Sequence, residues 1–275
     1  MAASVRVGIV GAAGWLGGAI AQALLDRQFV DPSGLTLSYR SKRPPRFAGA
    51  SWTKDNQQLA DKSDVIVVSV RPADWPSLSI DADGKLVISV MAGIRLEQLA
   101  ARLGTDRVVR SLPNAAAEVG RSYTPWVASA AVTGSDRTLV SAIFSTCGLS
   151  DELRGEADID YMTGLSGSGP AFPALLAAAM MRDAVSRGIP AAIARRAVTS
   201  VLIGTGSLFE RSGEDPSETV ETFVAYRGTT AAGIEAMRAN GFDGAVAEGL
   251  SAALQKSVSM GGAPDRRTES KIQEA

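Results

Sequence analysis

The first half of the chain alternates short, nearly continuous apolar runs with longer stretches of mixed pattern. Residues 5–10, 35–39, 65–70, 86–90 and 108–112 are rich in Val, Ile and Leu and predict strands. Between them, 16–28, 56–60 and 96–103 space their apolar residues as helices do. Strands that are apolar throughout, separated by helices, predict a parallel sheet covered on both faces. Residues 126–130 predict one further strand, and 138–147 a helix packed after it.

Around residues 153–161 the pattern turns acidic and polar, and beyond it only helical periodicity is found. Pro170 suits the first turn of a helix that runs to Ser186 and is closed by Gly188. Pro190 opens a second, reaching about Arg211. Asp215, Pro216 and Glu218 supply an N-cap, a first-turn proline and a carboxylate for a third. Residues 230–239 predict a fourth, with Gly241 as its cap, and 245–260 the last, whose Gly249, Ala252 and Ala253 permit close helix contact. The fold class is therefore α/β. A doubly wound, mostly parallel sheet domain (1–155) precedes an all-helical domain (156–262) and a polar tail (263–275).

Composition narrows the chemistry. Of 275 residues, 45% are hydrophobic, enough for a filled core, and the 5% that are aromatic leave Val, Leu, Ile and Ala to fill it. The net charge of −1 comes without a basic stripe, which excludes a typical nucleic-acid binder. Cys147 stands alone and cannot form an internal disulfide. No apolar stretch reaches the ~18 residues that span a bilayer, and the run starting at residue 5 leaves no room for a signal peptide. The expectation is a soluble, cytoplasmic protein with neither membrane nor nucleic-acid partner. Histidine is absent, which removes Ser-His-Asp and Cys-His catalysis and His-ligated metals, and no metal site is expected. Chemistry must run on hydroxyls, carboxylates, Lys or Arg, backbone dipoles or a bound cofactor.

Gly11, Gly14, Trp15, Leu16 and Gly17 lie in a G-x-x-G-x-x-G stretch that follows a strand and enters a helix. In that context glycines let the backbone turn tightly and approach a pyrophosphate, while the helix N-terminus supplies unpaired N–H groups. The spacing is one residue longer than the usual G-x-G-x-x-G. Where NAD sites carry an acid at the end of the second strand, this chain has Arg40, Ser41 and Lys42. A guanidinium, a hydroxyl and an ammonium suit a 2′-phosphate, so NADP(H) is favoured over NAD(H).

Taken together, several segments resemble the pyrroline-5-carboxylate reductase family over nearly the whole chain. Val70-Arg71-Pro72 is similar to that family's V-K-P, with Arg for Lys, and the stretch through Met91, Ala92, Gly93 and Ile94 to its S-x-A-A-G-I. Arg110 to Asn114, followed by Gly120, resembles R-x-M-P-N-x-P-A-x-x-G. Ser166-Gly167-Ser168-Gly169-Pro170 matches S-G-S-G-P, and Arg227-Gly228-Thr229-Thr230 falls where the family has S-P-G-G-T-T. The resemblance implies hydride transfer from NAD(P)H to the C=N bond of a cyclic imine, giving proline or a related product. It also implies that Val70, Arg71, Pro72, Met91, Ala92, Gly93 and Asn114 serve the cofactor, with Asn114 and Met91 near the nicotinamide end. Ser166, Gly167 and Ser168, just ahead of a helix N-terminus, suit a substrate carboxylate through N–H groups and hydroxyls. By the same resemblance Thr230 sits at the substrate nitrogen, and Thr230 and Ser168 are the catalytic candidates.

The chain departs from the family where S-P-G-G becomes Ala225-Tyr226-Arg227-Gly228. Tyr226, Arg227, Gly228 and Thr229 belong to a loop expected to touch substrate, so pocket volume and charge there differ, and a related imine carboxylate enters as a candidate. Two other readings stand beside this one. A β-hydroxyacid dehydrogenase needs a Lys that residues 161–182 lack, and a non-catalytic NADP-binding sensor or partner protein would need no substrate loop. The family assembles through its helical domain, which implies a homodimer or higher homo-oligomer.

Overall fold

A computed structural model of the chain describes residues 5–261; the expected polar tail, 263–275, lies outside them. The chain divides into two compact units. One runs to Ser168 and takes in the chain again from Ala253; the other is Gly169–Ala252.

The described part of the first unit is built on an eight-stranded sheet. In chain order its strands are β1 (Val7–Val10), β2 (Leu35–Ser38), β3 (Ser51–Thr53), β4 (Val65–Val68), β5 (Leu86–Ser89), β6 (Val108–Ser111), β7 (Ser122–Ala128) and β8 (Gly148–Glu152). Across the sheet the order is β3-β2-β1-β4-β5-β6-β7-β8, and only the β6–β7 pairing is antiparallel. Val7 pairs with Leu35 on one side and Val65 on the other, so strand order reverses at β1. In an open parallel sheet, ligands bind at that reversal, outside the C-terminal strand ends.

Period-2 alternation explains why both faces fill. Val7, Ile9, Val65, Val67, Leu86 and Ile88 point to one layer with Ile20, Leu24 and Phe144. Val10, Ile66, Val68 and Val87 point to the other with Leu59, Leu99 and Leu103. Each fully buried side chain of this size contributes about 1.5–3 kcal/mol relative to exposure. The covering helices are α1 (Trp15–Asp26), α2 (Asn56–Asp61), α3 (Leu96–Leu103) and α4 (Gly134–Ser145). Asp55 caps α2 by accepting from the N–H groups of Gln57 and Gln58 at 2.9 and 3.2 Å, a contact worth about 1 kcal/mol.

The structure adds elements that the hydrophobic pattern does not reveal. β3 has only three residues, and β8 is a half-exposed edge strand with polar residues, so neither shows an apolar run. β7 starts at Ser122, ahead of the expected 126–130, because Thr124 is buried and Pro125 sits inside the strand. α4 starts at Gly134 rather than 138: Thr133 and Asp136 form a capping box ahead of the apolar residues. The acidic stretch forms α5 (Glu156–Met162), followed by a π-helical turn at Thr163–Gly167.

That last segment explains where the first unit ends. The strands stop near residue 155, but compactness carries the unit on to Ser168. Arg110 on β6 donates to Glu156 at 3.0 Å and to Asp160 at 2.6 Å, which holds α5 against the sheet. Ser257 donates to the same Asp160 at 3.1 Å.

The second unit contains α6 (Ala171–Ser186), α7 (Ala191–Ser212), α8 (Pro216–Ala225), α9 (Thr229–Ala239) and the start of α10 (Phe242–Gly261). Asp215 caps α8 by accepting from Ser217 N–H at 2.8 Å, with Pro216 in the first turn. Within α7 only Ala194 and Val198 are buried, and α6 buries none of its residues. Leu175 and Ile203 are about two-thirds exposed. No helix among the described residues is long and apolar enough to cross a membrane.

Candidate active site

At the strand reversal, a cleft of about 390 Å³ opens at the C-terminal ends of β1, β2 and β4. It gathers Gly11, Gly14, Arg40, Val70 and Arg71 of the residues expected from sequence. Gly11 closes β1 with φ 82°, and a Cβ there would come within 2.6 Å of the Ser69 carbonyl oxygen. Gly14 is the N-cap of α1. Trp15 and Leu16 open that helix, and Gly17 packs on the loop, 2.9 Å from Gly11 O to an added Cβ. Bare backbone, a tight turn and a helix N-terminus together fit the diphosphate of a dinucleotide.

The rim of the cleft is charged. Arg40 donates to Asp74 at 2.9 Å, and Arg71 donates to the other oxygen of the same carboxylate at 3.0 Å. Arg71 first, and Arg40 with it, holds the Asp74 carboxyl below its ordinary pKa. Lys54 and Asn56 also line the cleft, and the Lys54 ammonium sits 5.6 Å from the Tyr39 ring centroid. Ser41 and Lys42 are exposed beside Arg40 but do not line it, and Pro72 opens the 3-10 turn that carries Asp74.

Lys54, Asn56 and Asp74 are absent from the sequence-derived set. The first two follow β3, and a strand of three residues gave no signal that the chain reaches a strand end there. Asp74 lies just past the Val70-Arg71-Pro72 segment, three residues beyond Arg71, and its partner Arg40 is distant in sequence.

Further along the sheet, Met91 is buried after β5 with its N–H donating to Ser89 Oγ at 3.2 Å, and Ala92 and Gly93 follow it. Asn114, after β6, is pinned on three sides. Its N–H donates to Ser122 Oγ at 3.0 Å, its side-chain oxygen accepts from Ala116 N–H at 2.9 Å, and its amide nitrogen donates to Ser166 O at 2.9 Å. Asn114 thus fixes the turn that carries Ser166, Gly167 and Ser168. Both hydroxyls of that turn donate inward, Ser166 to Met162 O at 3.1 Å and Ser168 to Thr163 O at 3.2 Å. Gly167 lies against Leu112, with 2.5 Å between an added Cβ and the Leu112 side chain.

Tyr226, Arg227, Gly228, Thr229 and Thr230 lie in the second unit, at the junction of α8 and α9. Tyr226 is 85% exposed. Gly228 is the N-cap of α9, and Thr229 and Thr230 form its first turn, where backbone N–H groups have no intrahelical acceptor. Among the described residues no group of three or more His, Cys, Asp or Glu is placed to hold a metal.

Comparison with known proteins bears directly on this arrangement. The family model for pyrroline-5-carboxylate reductase dimerisation matches residues 156–260, and that for NADP oxidoreductase, coenzyme F420-dependent, matches 6–93. A pyrroline-5-carboxylate reductase of Synechocystis sp. is 31% identical over 274 residues, 94% of this chain and 99% of its own. The chain belongs to the pyrroline-5-carboxylate reductase family. The Thermus thermophilus member is 32% identical, covering 94% of this chain and 99% of its own. Among solved structures, the Plasmodium falciparum pyrroline carboxylate reductase with NADP bound has a TM-score of 0.82 at 25% identity over 94% of this chain and 98% of its own. The Streptococcus pyogenes 1-pyrroline-5-carboxylate reductase has 0.80 at 26%, over 93% and 98%.

Against the family's S-P-G-G, Arg227 stands where a glycine is usual, and its φ of 50° is the left-handed conformation that glycine favours. The loop keeps a glycine-type backbone at this position while carrying a guanidinium.

Proposed function

We propose that this chain is an NADPH-dependent reductase that converts 1-pyrroline-5-carboxylate to proline. The observation that carries the reading is similarity over nearly the full length to reductases of that name. The strand-end cleft, with its bare glycine loop and basic rim, supports it. The cofactor, when bound, supplies a hydride to the carbon of the C=N bond.

What remains for the protein is orientation and charge, since a protonated imine is already electrophilic. Gly11, Gly14 and the first turn of α1 receive the diphosphate. Arg40, with Ser41 and Lys42 beside it, favours the 2′-phosphate. Val70, Arg71, Pro72, Met91, Ala92, Gly93 and Asn114 line the run towards the nicotinamide. Thr230 hydrogen-bonds the substrate nitrogen, and the N-terminal turn of α9 suits the substrate carboxylate, because its free N–H groups attract an anion. Ser166, Gly167 and Ser168 offer a second polar turn. Their hydroxyls must rotate away from Met162 O and Thr163 O before they can donate to substrate.

The exposed apolar residues of α6 and α7, together with the dimerisation model matched at 156–260, support a homodimer formed through the helical unit. The test of the reaction is NADPH oxidation by purified protein with 1-pyrroline-5-carboxylate, beside other cyclic imines, with proline measured as product. Turnover of another imine but not of the pyrroline would reassign the substrate. Cofactor binding without turnover of any imine would replace the enzyme reading with that of a binding protein.

A further inference from the structure

The glycine loop of this chain is one residue longer than G-x-G-x-x-G, and a longer loop has more ways to orient its peptide groups. Backbone hydrogen bonds from Gly14 N–H to Gly11 O at 2.9 Å and from Gly18 N–H to Gly14 O at 3.1 Å limit that freedom, and one side chain limits it further. Arg46 Nη2 donates to the carbonyl oxygens of Ala12, at 3.0 Å, and Gly14, at 3.2 Å. Its guanidinium rests on α1 at Gly18, where an added Cβ would overlap it. Behind it, the guanidinium carbon lies 4.9 Å from the Phe47 ring centroid, and Phe47 stacks on Trp52 of β3 at 6.2 Å and 17°. Phe47 itself has φ 61°, a conformation costly for a bulky residue and retained at the bend next to Arg46.

The peptide geometry gives these contacts a direction. A trans peptide points its carbonyl and the next N–H to opposite sides. Carbonyls of Ala12 and Gly14 drawn to Arg46 turn the N–H groups of Ala13 and Trp15 the other way, that of Ala13 onto the Ser38 carbonyl at 3.4 Å on the cleft side. Arg46 lines a groove on the outer side of α1 with Trp15 and Gly18, whereas Gly11, Ala13 and Gly14 line the strand-end cleft. The guanidinium and the cleft therefore lie on opposite sides of the loop.

We propose that Arg46 is a positioning residue for the cofactor diphosphate. It ties back the carbonyls of the lengthened loop, leaves the N–H groups at the start of α1 facing the cleft, and places a positive charge behind them. Gly18 is the seat that lets it do so. The role rests on the dinucleotide reading given above. Because NADPH and NADH share the diphosphate, Arg46 affects both equally, unlike Arg40 at the 2′-phosphate.

Gly18→Ala tests this without dismantling the fold. The atoms nearest the new methyl group are the far end of a flexible side chain, and Ala is the better helix former. The dissociation constants of NADPH and NADH are measured by fluorescence titration, with thermal unfolding of each variant alongside. Expected is a melting temperature at or above that of the wild type, with both constants raised about tenfold, ~1.4 kcal/mol, and their ratio unchanged. Arg46→Met should give the same loss, Arg46→Lys a partial one, and Gly18→Ala with Arg46→Met no more than either alone. Constants within about twofold of wild type in the folded Gly18→Ala variant would overturn the proposal. Losses that multiply in the double variant, or a loss confined to NADPH, would do the same. A wild-type protein that binds neither nucleotide would overturn the dinucleotide reading, and this role with it.

Discussion

Arg110 and Asp160 meet at 2.6 Å with side chains only 3% and 5% exposed. Taking Arg110 away leaves the buried Asp160 with only the partly exposed Arg95 at 3.6 Å as counter-ion, which costs up to about 3–5 kcal/mol. Arg110→Met should therefore lower unfolding stability by about that amount in urea titration. Removing both, as Arg110→Met with Asp160→Leu, should cost less than the sum of the singles. A fully additive double variant would mean that the two charges do not depend on each other.

Arg40 should govern the choice between the two nicotinamide cofactors. Arg40→Ala is expected to raise the dissociation constant for NADPH about tenfold while leaving that for NADH within about twofold, since only the first carries a 2′-phosphate. Raising ionic strength should weaken NADPH more than NADH for the same reason. Equal weakening of both cofactors by Arg40→Ala would place the phosphate elsewhere.

Thr230 should act on the chemical step. Thr230→Ala is expected to lower kcat by about a hundredfold, the usual scale for one lost hydrogen-bond donor at a reacting atom. Cofactor affinity should stay unchanged, and Thr230→Ser should keep most of the rate. An unaltered kcat in the Ala variant would reduce Thr230 to a helix-end residue.

Arg227 carries a backbone strain that glycine would relieve. A side chain in the left-handed region costs about 1–2 kcal/mol, and the extra freedom of unfolded glycine offsets about 0.5–1. Arg227→Gly should thus stabilise the protein by roughly 0.5–1 kcal/mol in thermal unfolding. If the same variant also raises KM for the imine, the strain is tolerated for the sake of the guanidinium. A variant that is less stable would show that other contacts of Arg227 hold the loop.

Burial pushes the Cys147 thiol above its ordinary pKa, and a hydrogen bond with Thr146 offsets this only in part. The folded state therefore keeps the proton that the unfolded chain gives up near pH ~8.5. Stability from this group is complete below that value and falls as pH rises through it. Unfolding measured across that range should show a downward slope that Cys147→Ala lacks. Alkylation of the folded protein should be slow, and rapid labelling would contradict the burial.

Much of this was legible beforehand because it is local. The apolar runs gave β1, β2, β4, β5 and β6, and proline and aspartate near helix starts gave α6, α7 and α8. What escaped was either short, polar or distant in sequence. β3 and β8 carry too few buried residues to show alternation, and α5 is held by ion pairs rather than by an apolar stripe. In the cleft, the glycine loop and Arg40 could be read directly. Asp74 and Lys54 could not, nor could Arg46 behind the loop, because their importance comes from partners that the fold brings to them.

The return of the chain at Ala253 to the unit it left at Ser168 makes the helical unit an insertion, leaving and re-entering at two points. A single nick before Ala253 leaves the helices joined to the first unit through Gly169, and a single nick after Ser168 leaves them joined through α10, whose Ser257 hydrogen-bonds Asp160. Two cuts are needed to release the helices. Release of the helices thus depends on the path of the chain as well as on contacts such as that of Ser257 with Asp160.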